Sequence, residues 1–386
     1  MPSVTNRLTI ITEIISPYRI PLFNALNRHP NVDLYLIFLA ETDPELRQWQ
    51  VYKNEIDFSY EVLPSYRKRI RGHNALLNRG VGRALSVAKP DAILCGGYNY
   101  LASWQALWWA RKRGVPFLLW SESNLQDMRG GSRFIEFLKR EFLRRCSGFV
   151  VPGRSALEYL RAHGIKESDI FKAVNAVDND RFSRAAAVAQ ENAVQLRSEL
   201  SLPTRYFLFV GRLVREKGIF ELLAAYSSLE EDLRADVGLV FVGDGPSRSA
   251  LEAEAASVGR GVIKFVGFAH QEQLPAYYTL AEMLVLPTYT DTWGLVVNEA
   301  MACGLPVILS EAAGCAADLL TQDWNGQIIP PRNVAALASA MRDLASRPDR
   351  CAAMGLHSRT RIAAYSPQEW SEGVARSVEA SRMKRG

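Results

Sequence analysis

Between residues 284 and 309 two carboxylates, two glycines and two prolines punctuate one strand–loop–helix–strand pattern. Leu284-Val285-Leu286-Pro287 reads as a strand and Pro306-Val307-Ile308-Leu309 as the next. A helix from Leu295 to Cys303 lies between them, with Gly304 suited to the left-handed residue that ends it. Amide N–H groups in the first turn of such a helix have no intrahelical partner and point outward, so they attract an anion such as a diphosphate. Asp291 lies before those amides and Glu299 beyond them, placed to take hydroxyls on opposite sides of the anion. Ribose, diphosphate and sugar follow one another in that order in a nucleotide sugar.

A second group of charges follows the strand-like Tyr206–Val210, in Gly211-Arg212-Leu213-Val214-Arg215-Glu216-Lys217-Gly218. Sites on open parallel sheets form at the carboxyl ends of strands. Arg212 would offer a fork of donors there and Lys217 a compact charge, enough to neutralise a leaving diphosphate without a metal. Alone, this stretch reads equally well as a solvated loop. Phe241-Val242-Gly243-Asp244-Gly245-Pro246 is another strand end; Gly245 permits close backbone approach, although a sharp turn explains the same residues. Phe268, after Ile263–Val266, could meet a nucleobase, whereas an isolated phenylalanine is ordinarily core. The histidines fall in no ligand spacing. Asp178 and Asp180 form a D-x-D, a spacing that elsewhere marks metal dependence, but they follow the last strand of the first half in a turn, and neither a metal nor a cofactor is expected.

Short apolar runs alternating with helical patterns must position these groups. In the first half the strands expected are Leu8–Thr12, Val32–Phe38, Ala92–Cys95, Pro116–Trp120, Gly148–Val151 and Ile170–Val174. The helices are Ile20–Arg28, Leu76–Ala88, Leu101–Arg113, Arg133–Arg145 and Ser155–His163. A second alternating series starts at Tyr206. The fold class expected is therefore α/β, with two doubly wound Rossmann-like domains facing each other across a cleft. The expected boundaries are an N-terminal domain at 1–182, a linker poor in large apolar groups at 183–204, and a nucleotide-sugar domain at 205–365. A helix at 366–386 returns to the first domain, with Ser366, Pro367 and Glu369 as its start signal.

The 386 residues suffice for two cores, and 48% hydrophobic with 23% charged residues fits a globular chain. No apolar run approaches a membrane span, and the start lacks the pattern of a secretory signal. Five scattered cysteines, without C-x-x-C spacing, read as free thiols in a cytoplasmic protein. The charge is uneven: residues 1–182 hold 26 Lys+Arg against 18 Asp+Glu, a net of +8, and the rest a net of −3. The basic excess lies in Tyr66–Arg71, Arg111–Arg113 and Arg129–Arg145. It suits an anionic membrane surface or a phosphorylated acceptor, and it also suits an ordinary solvated face. Nucleic acid is not expected, because no zinc-finger spacing or RNA-binding aromatic motif accompanies these clusters.

The ordered set GRLVREKG, FVGDGP, FVGF and DTWGLVVNEAMACGLPVI resembles the donor half of the retaining glycosyltransferases of family GT4, which have the GT-B fold. The resemblance covers nearly all of residues 205–345. It is weaker in the first half, at Ser16–Phe23 and Asn175–Asp178. It implies that Arg212 and Lys217 bind the diphosphate, that Glu299 binds ribose as the second acid of E-x7-E, and that Asp291 contacts the donor sugar. Thr292, Trp293, Gly294 and Leu295 would form the loop whose amides meet the phosphate, with Gly211, Gly245 and Phe268 lining the nucleotide. Asp291 replaces the usual Glu and is one methylene shorter. The first loop has Ser16-Pro17-Tyr18-Arg19 in place of paired glycines, so Pro17, Tyr18 and Arg19 face the acceptor or the diphosphate. Glu122, in Trp120-Ser121-Glu122-Ser123, stands in the region where many members carry a histidine, with a role in orienting sugar or acceptor or as a local surface residue.

The reaction implied is transfer of a sugar from a nucleoside diphosphate donor, such as a UDP- or GDP-sugar, to an acceptor hydroxyl with retained configuration. The acceptor would be a cell-surface glycan, a glycolipid or a natural product, and lipopolysaccharide assembly is one such setting. Phe134-Ile135-Glu136-Phe137-Leu138-Lys139-Arg140 suggests action at the inner membrane face, and a packed amphipathic helix would give the same pattern. A non-hydrolysing epimerase would need acid and base groups that the sequence does not display. A silent sugar-nucleotide-binding subunit is the reading from a different class. A dinucleotide oxidoreductase is disfavoured, because neither half opens with G-x-G-x-x-G.

Overall fold

The computed structural model describes residues 5–42, 51–70, 73–125 and 133–384, with the side chains of 68–75 left out. The side chains of Lys68 and Arg69, and the whole of Arg71 and Arg129, therefore lie outside the described residues. The chain forms two compact units, Met1–Val177 with Pro367–Gly386, and Asp178–Ser366.

In the first unit the elements run β1 (Asn6–Thr12), α1 (Ile20–Asn27), β2 (Val32–Phe38), β3 (Ser59–Val62), β4 (Ser65–Ile70), β5 (His73–Asn78), α2 (Val81–Ala88) and β6 (Ala92–Cys95). They continue with α3 (Leu101–Arg113), β7 (Phe117–Trp120), α4 (Arg133–Leu143), β8 (Gly148–Val151), α5 (Arg154–Ala162) and β9 (Ile170–Lys172). Seven parallel strands lie in the order β3-β2-β1-β6-β7-β8-β9, so the sheet changes direction between β1 and β6. Strands β6, β7 and β8 are buried at every position, as a sheet covered on both faces requires. One face packs Phe23, Phe38 and Trp120 against Trp370, Val374 and Val378 of the C-terminal helix Pro367–Met383, and the Trp120 and Trp370 rings lie 5.3 Å apart. The other face packs Phe117, Phe142 and Tyr159.

The second unit runs α6 (Asn179–Glu191), α7 (Ala193–Glu199), β10 (Arg205–Val210), α8 (Ile219–Ser227), α9 (Glu231–Asp236), β11 (Val237–Val242), α10 (Arg248–Ala255) and β12 (Ile263–Gly267). Then come α11 (Leu274–Leu280), β13 (Met283–Leu286), α12 (Leu295–Ala302), β14 (Val307–Ser310), α13 (Ala316–Leu319), β15 (Gly326–Ile329), α14 (Val334–Ala345) and α15 (Pro348–Ile362). Six parallel strands take the order β12-β11-β10-β13-β14-β15, with the change of direction between β10 and β13. Both sheets are Rossmann-like.

Two local expectations are corrected. Residues 76–78, expected in a helix, belong to β5, which pairs antiparallel with β4. Leu76 is buried, Leu77 exposed and Asn78 buried, the period of a strand, and left-handed Gly80 (φ 90°) separates it from α2. The stretch 183–204, expected as a linker, is largely helical and belongs to the second unit. Its few large side chains suffice because α6 buries Phe182, Ala186 and Ala189, with Phe182 set edge-on to Tyr278 at 6.4 Å. Among the described residues no helix is long and apolar enough to cross a membrane.

Candidate functional site

The crevice expected at a change of strand direction lies, in the second unit, beyond the carboxyl ends of β10 and β13. Three loops are stitched together there by backbone. Gly211 N–H donates to Val242 O at 3.0 Å, Leu213 N–H to Asp244 O at 3.0 Å, and Gly243 N–H to Gly267 O at 2.7 Å. A side chain at Gly243 (φ 137°) would meet Gly211 O at 1.9 Å, and one at Gly245 would meet Leu213 O at 2.5 Å. Contact between loops thus accounts for the glycine at 245.

The loop after β10 is then pinned to the end of β13. A Cβ at Gly218 (φ 70°) would lie 2.1 Å from Pro287 O. Glu216 O accepts from Thr288 Oγ1 at 3.0 Å and from Tyr289 N at 2.8 Å. This fixes the backbone on both sides of Lys217, whose Nζ lies 2.5 Å from Asp291 Oδ2, with both side chains mostly buried. Asp291 is held from its other side, since its O accepts from Gly314 N at 3.0 Å while Trp293 O accepts from Cys315 N at 3.1 Å. A Cβ at Gly314 would come within 2.0 Å of Thr292 O. The loop therefore sits close enough for the shorter carboxylate to reach the lysine. Arg212 is exposed and makes no ion pair among the described residues.

Helix α12 starts after Gly294, which is left-handed at φ 99°. Thr292 is exposed, whereas Trp293 is buried and its Nε1–H donates to Asn298 Oδ1 at 2.8 Å. The tryptophan side chain thus braces the first turn, leaving Leu295 partly exposed at the helix start. Gly304 closes the helix at φ 86°, as expected. Glu299 is buried on α12, and its Oε2 accepts from the buried Tyr278 hydroxyl at 2.7 Å. Burial raises its pKa to about 7, the Tyr278 hydrogen bond acting in the opposite direction. Burial and the neighbouring Glu299 in turn push the Tyr278 hydroxyl well above its ordinary range. Phe268 is 41% exposed, so it is a surface ring, edge-on to His270, and not a core residue.

In the first unit the carboxyl ends of β1, β7 and β9 bring together three residues. Pro17 opens a 3-10 turn, Pro17–Arg19, with Tyr18 partly exposed. Arg19 donates to Thr12 Oγ1 at 3.2 Å and to Glu122 Oε2 at 3.1 Å, and its guanidinium lies 4.4 Å from the centre of the Trp120 ring. Asn175 Nδ2 donates to Glu122 Oε1 at 3.1 Å. Burial disfavours the charge on Arg19, but Glu122, Tyr18 and Glu13 outweigh it, and the pKa stands above its usual value. Glu122 is therefore neither a cap nor a loose surface group, because both of its oxygens are engaged. Asp178 accepts from Arg181 N at 2.9 Å and caps α6.

Sequence reasoning missed Tyr278, Asn298, Asn175 and the Gly314 loop as parts of these clusters. Asn175 and Asn298 had a signal, since they lie in Asn175–Asp178 and in the DTWGLVVNEAMACGLPVI run. The expected site residues divide into two groups. Lys217 with Asp291, and the α12 start with Glu299, belong to the second unit. Pro17, Tyr18, Arg19 and Glu122 belong to the first.

The two Rossmann-like sheets, with these strand orders, have the GT-B fold. Solved structures of that class superpose over almost the whole chain. HepE of Anabaena in complex with UDP and glucose has a TM-score of 0.74 at 15% identity, covering 97% of this chain and 99% of that one. Sucrose-phosphate synthase of Thermosynechococcus elongatus has a TM-score of 0.71 at 20% identity, covering 96% and 98%. Residues 195–361 match the family described as glycosyl transferases group 1, and residues 36–171 the glycosyl transferase 4-like domain. The chain belongs to the GT4 glycosyltransferases. It is 29% identical over 295 residues to the GDP-mannose-dependent α-(1-6)-phosphatidylinositol monomannoside mannosyltransferase of Mycobacterium tuberculosis, covering 74% of this chain and 70% of that one. TuaC of Bacillus subtilis, named as a glycosyltransferase of teichuronic acid biosynthesis, is 37% identical over 154 residues. The match spans 39% of this chain and about a third (36%) of that relative's length.

Proposed function

We propose that the chain moves a sugar from a nucleoside diphosphate donor to an acceptor hydroxyl, with retained configuration and without a metal, in the cytoplasmic assembly of a cell-surface glycan or glycolipid. The observation that carries this reading is the Lys217–Asp291 pair at 2.5 Å, which ties the loop after β10 to the loop that leads into the helix bearing Glu299. As the glycosidic bond breaks, positive charge grows on the sugar and negative charge on the diphosphate. Lys217, Arg212 and the first amides of α12 stabilise the second charge, and each such donor contributes about 3–4 kcal/mol in comparable sites. Asp291 turns from its lysine towards sugar hydroxyls, and Glu299, fixed by Tyr278, takes the ribose. The leaving phosphate accepts the acceptor's proton on the same face, so no protein base is required.

The relatives that act on lipid-linked or polymeric glycans support the acceptor class, and the basic first half supports a site of action at the inner membrane face. The test is a panel of UDP- and GDP-sugars scored by thermal shift, by nucleotide release and by the anomeric configuration of the product. Stabilisation without turnover on any acceptor would leave a silent binding subunit. An epimerised donor would make the chain an epimerase, and inversion would remove the retaining mechanism.

A further inference from the structure

Helix α4 buries one stripe and exposes another that is equally apolar. Its inner stripe holds Phe142 against the Trp104 ring at 4.9 Å and the Phe117 ring at 5.9 Å, so the helix is anchored in its unit. On its outer face Phe134 is 66%, Phe137 57% and Leu138 37% exposed. They stand at i, i+3 and i+4, one contiguous strip of helix surface. A helix that only packs against a core carries polar residues there. Beside the strip, Arg133, Arg140 and Arg144 stand at i, i+7 and i+11 and are all exposed.

The charge of this face is one-sided. Residues 133–145 hold five cations and two acids, and both acids are neutralised locally. Glu136 accepts from Lys139 at 3.0 Å, and Glu141 pairs with Arg144 and Arg145. The neighbouring helix α3 ends in exposed Arg111, Lys112 and Arg113 with no acid in its length. The half-exposed Trp108 ring of α3 lies under the Arg145 guanidinium, 5.6 Å from it, which joins the two basic ends. An apolar strip flanked by arginines, with an indole beside it, matches a bilayer carrying acidic headgroups: rings enter the acyl boundary while guanidinium groups stay with the phosphates.

We infer that the α4 face, with the basic end of α3, docks this protein on an anionic phospholipid surface. The inference rests on the reading that the acceptor is a glycolipid or lipid-linked glycan. It gives that reading a location on the molecule, with the first unit resting on the lipid that carries the acceptor.

The experiment is co-sedimentation of the full chain with vesicles of phosphatidylcholine containing about 30% phosphatidylglycerol, against phosphatidylcholine alone, at low and high salt. Binding should require the anionic lipid and weaken as salt screens the arginines. Phe134→Ser/Phe137→Ser and, separately, Arg140→Glu/Arg144→Glu should each lower partitioning by about tenfold or more, while thermal unfolding and nucleotide binding stay at wild-type levels. The inference is overturned if the chain ignores anionic vesicles, or if both double variants bind as wild type does. Concentration-dependent self-association that the Phe134→Ser/Phe137→Ser pair abolishes would also overturn it, making the strip a seam between copies. Loss of nucleotide binding with vesicle binding intact would instead strike the donor-site reading and leave this one standing.

Discussion

The two units answer the same topological problem with different electrostatics. At the crevice of the first sheet, Arg19, Glu122, Asn175 and Thr12 form a closed network in which both Glu122 oxygens are taken. At the crevice of the second, Lys217 meets Asp291 through one short contact, Arg212 is exposed, and Glu299 is buried at a pKa of about 7 with one oxygen bound to Tyr278. A network that ties four side chains to one another resists rearrangement, whereas an exposed arginine and a lysine held by one carboxylate can be recruited by a ligand. The first cluster therefore suits holding a loop in place, and the second suits receiving a diphosphate and ribose.

The comparison can be broken most forcefully at Lys217. Lys217→Ala should lower turnover by about 10²–10³-fold while nucleotide affinity changes far less, because the charge it meets is largest in the transition state. A rise of that size in the variant's KM with no loss in kcat would contradict this. Next comes Glu299→Ala, which should weaken nucleotide binding by about 10–100-fold, the range for hydrogen bonds to a charged acceptor. Calorimetric titration with UDP and GDP checks it.

Glu299 also gives a pH signature with a definite sign. Its folded pKa of about 7 stands above the ordinary 4.5, so the folded state binds the proton more tightly. Below pH 4.5 both states are protonated and no penalty exists. Between 4.5 and 7 stability falls as pH rises, by about 3 kcal/mol in all, and above 7 the penalty is constant. Ribose hydroxyls favour the ionised carboxylate, so nucleotide affinity should drop as pH falls below 7. Chemical denaturation and titration from pH 5 to 8 test both slopes, and Glu299→Gln should flatten them together.

Smaller effects are expected in the first unit. Arg19→Ala leaves the Glu122 carboxylate without its cation, and the partly solvated pair implies a loss of about 1–3 kcal/mol in unfolding free energy with little change in nucleotide affinity. Tyr278→Phe removes one buried hydrogen bond, worth about 0.5–1.5 kcal/mol, and should raise the midpoint of the nucleotide pH profile further. Both are read from denaturation curves alongside titrations.

Much of this architecture was readable because burial on both faces writes itself as continuous apolar runs. Ala92–Cys95 and Gly148–Val151 have the bounds that pattern gives, and Phe117–Trp120 falls within the expected Pro116–Trp120. Leu76–Asn78 was not readable, since two adjacent leucines fit a helix stripe as well as alternating strand positions. The 183–204 stretch misled because alanine packs helices closely without large side chains. For the site, charge and glycine spacing located Lys217, Asp291 and Glu299, but their partners were hidden. Tyr278 looked like core, and nothing local ties it to a carboxylate 21 residues on. Arg19 and Glu122 are 103 residues apart, a pairing that only the strand order creates.

The most direct test of the donor-site assignment is a crystal structure with a bound UDP- or GDP-sugar. The account predicts the diphosphate within hydrogen-bonding distance of Lys217 Nζ and the first amides of α12, with a ribose hydroxyl on Glu299. A diphosphate bound elsewhere, with the Lys217–Asp291 pair undisturbed and Glu299 touching only Tyr278, would contradict it.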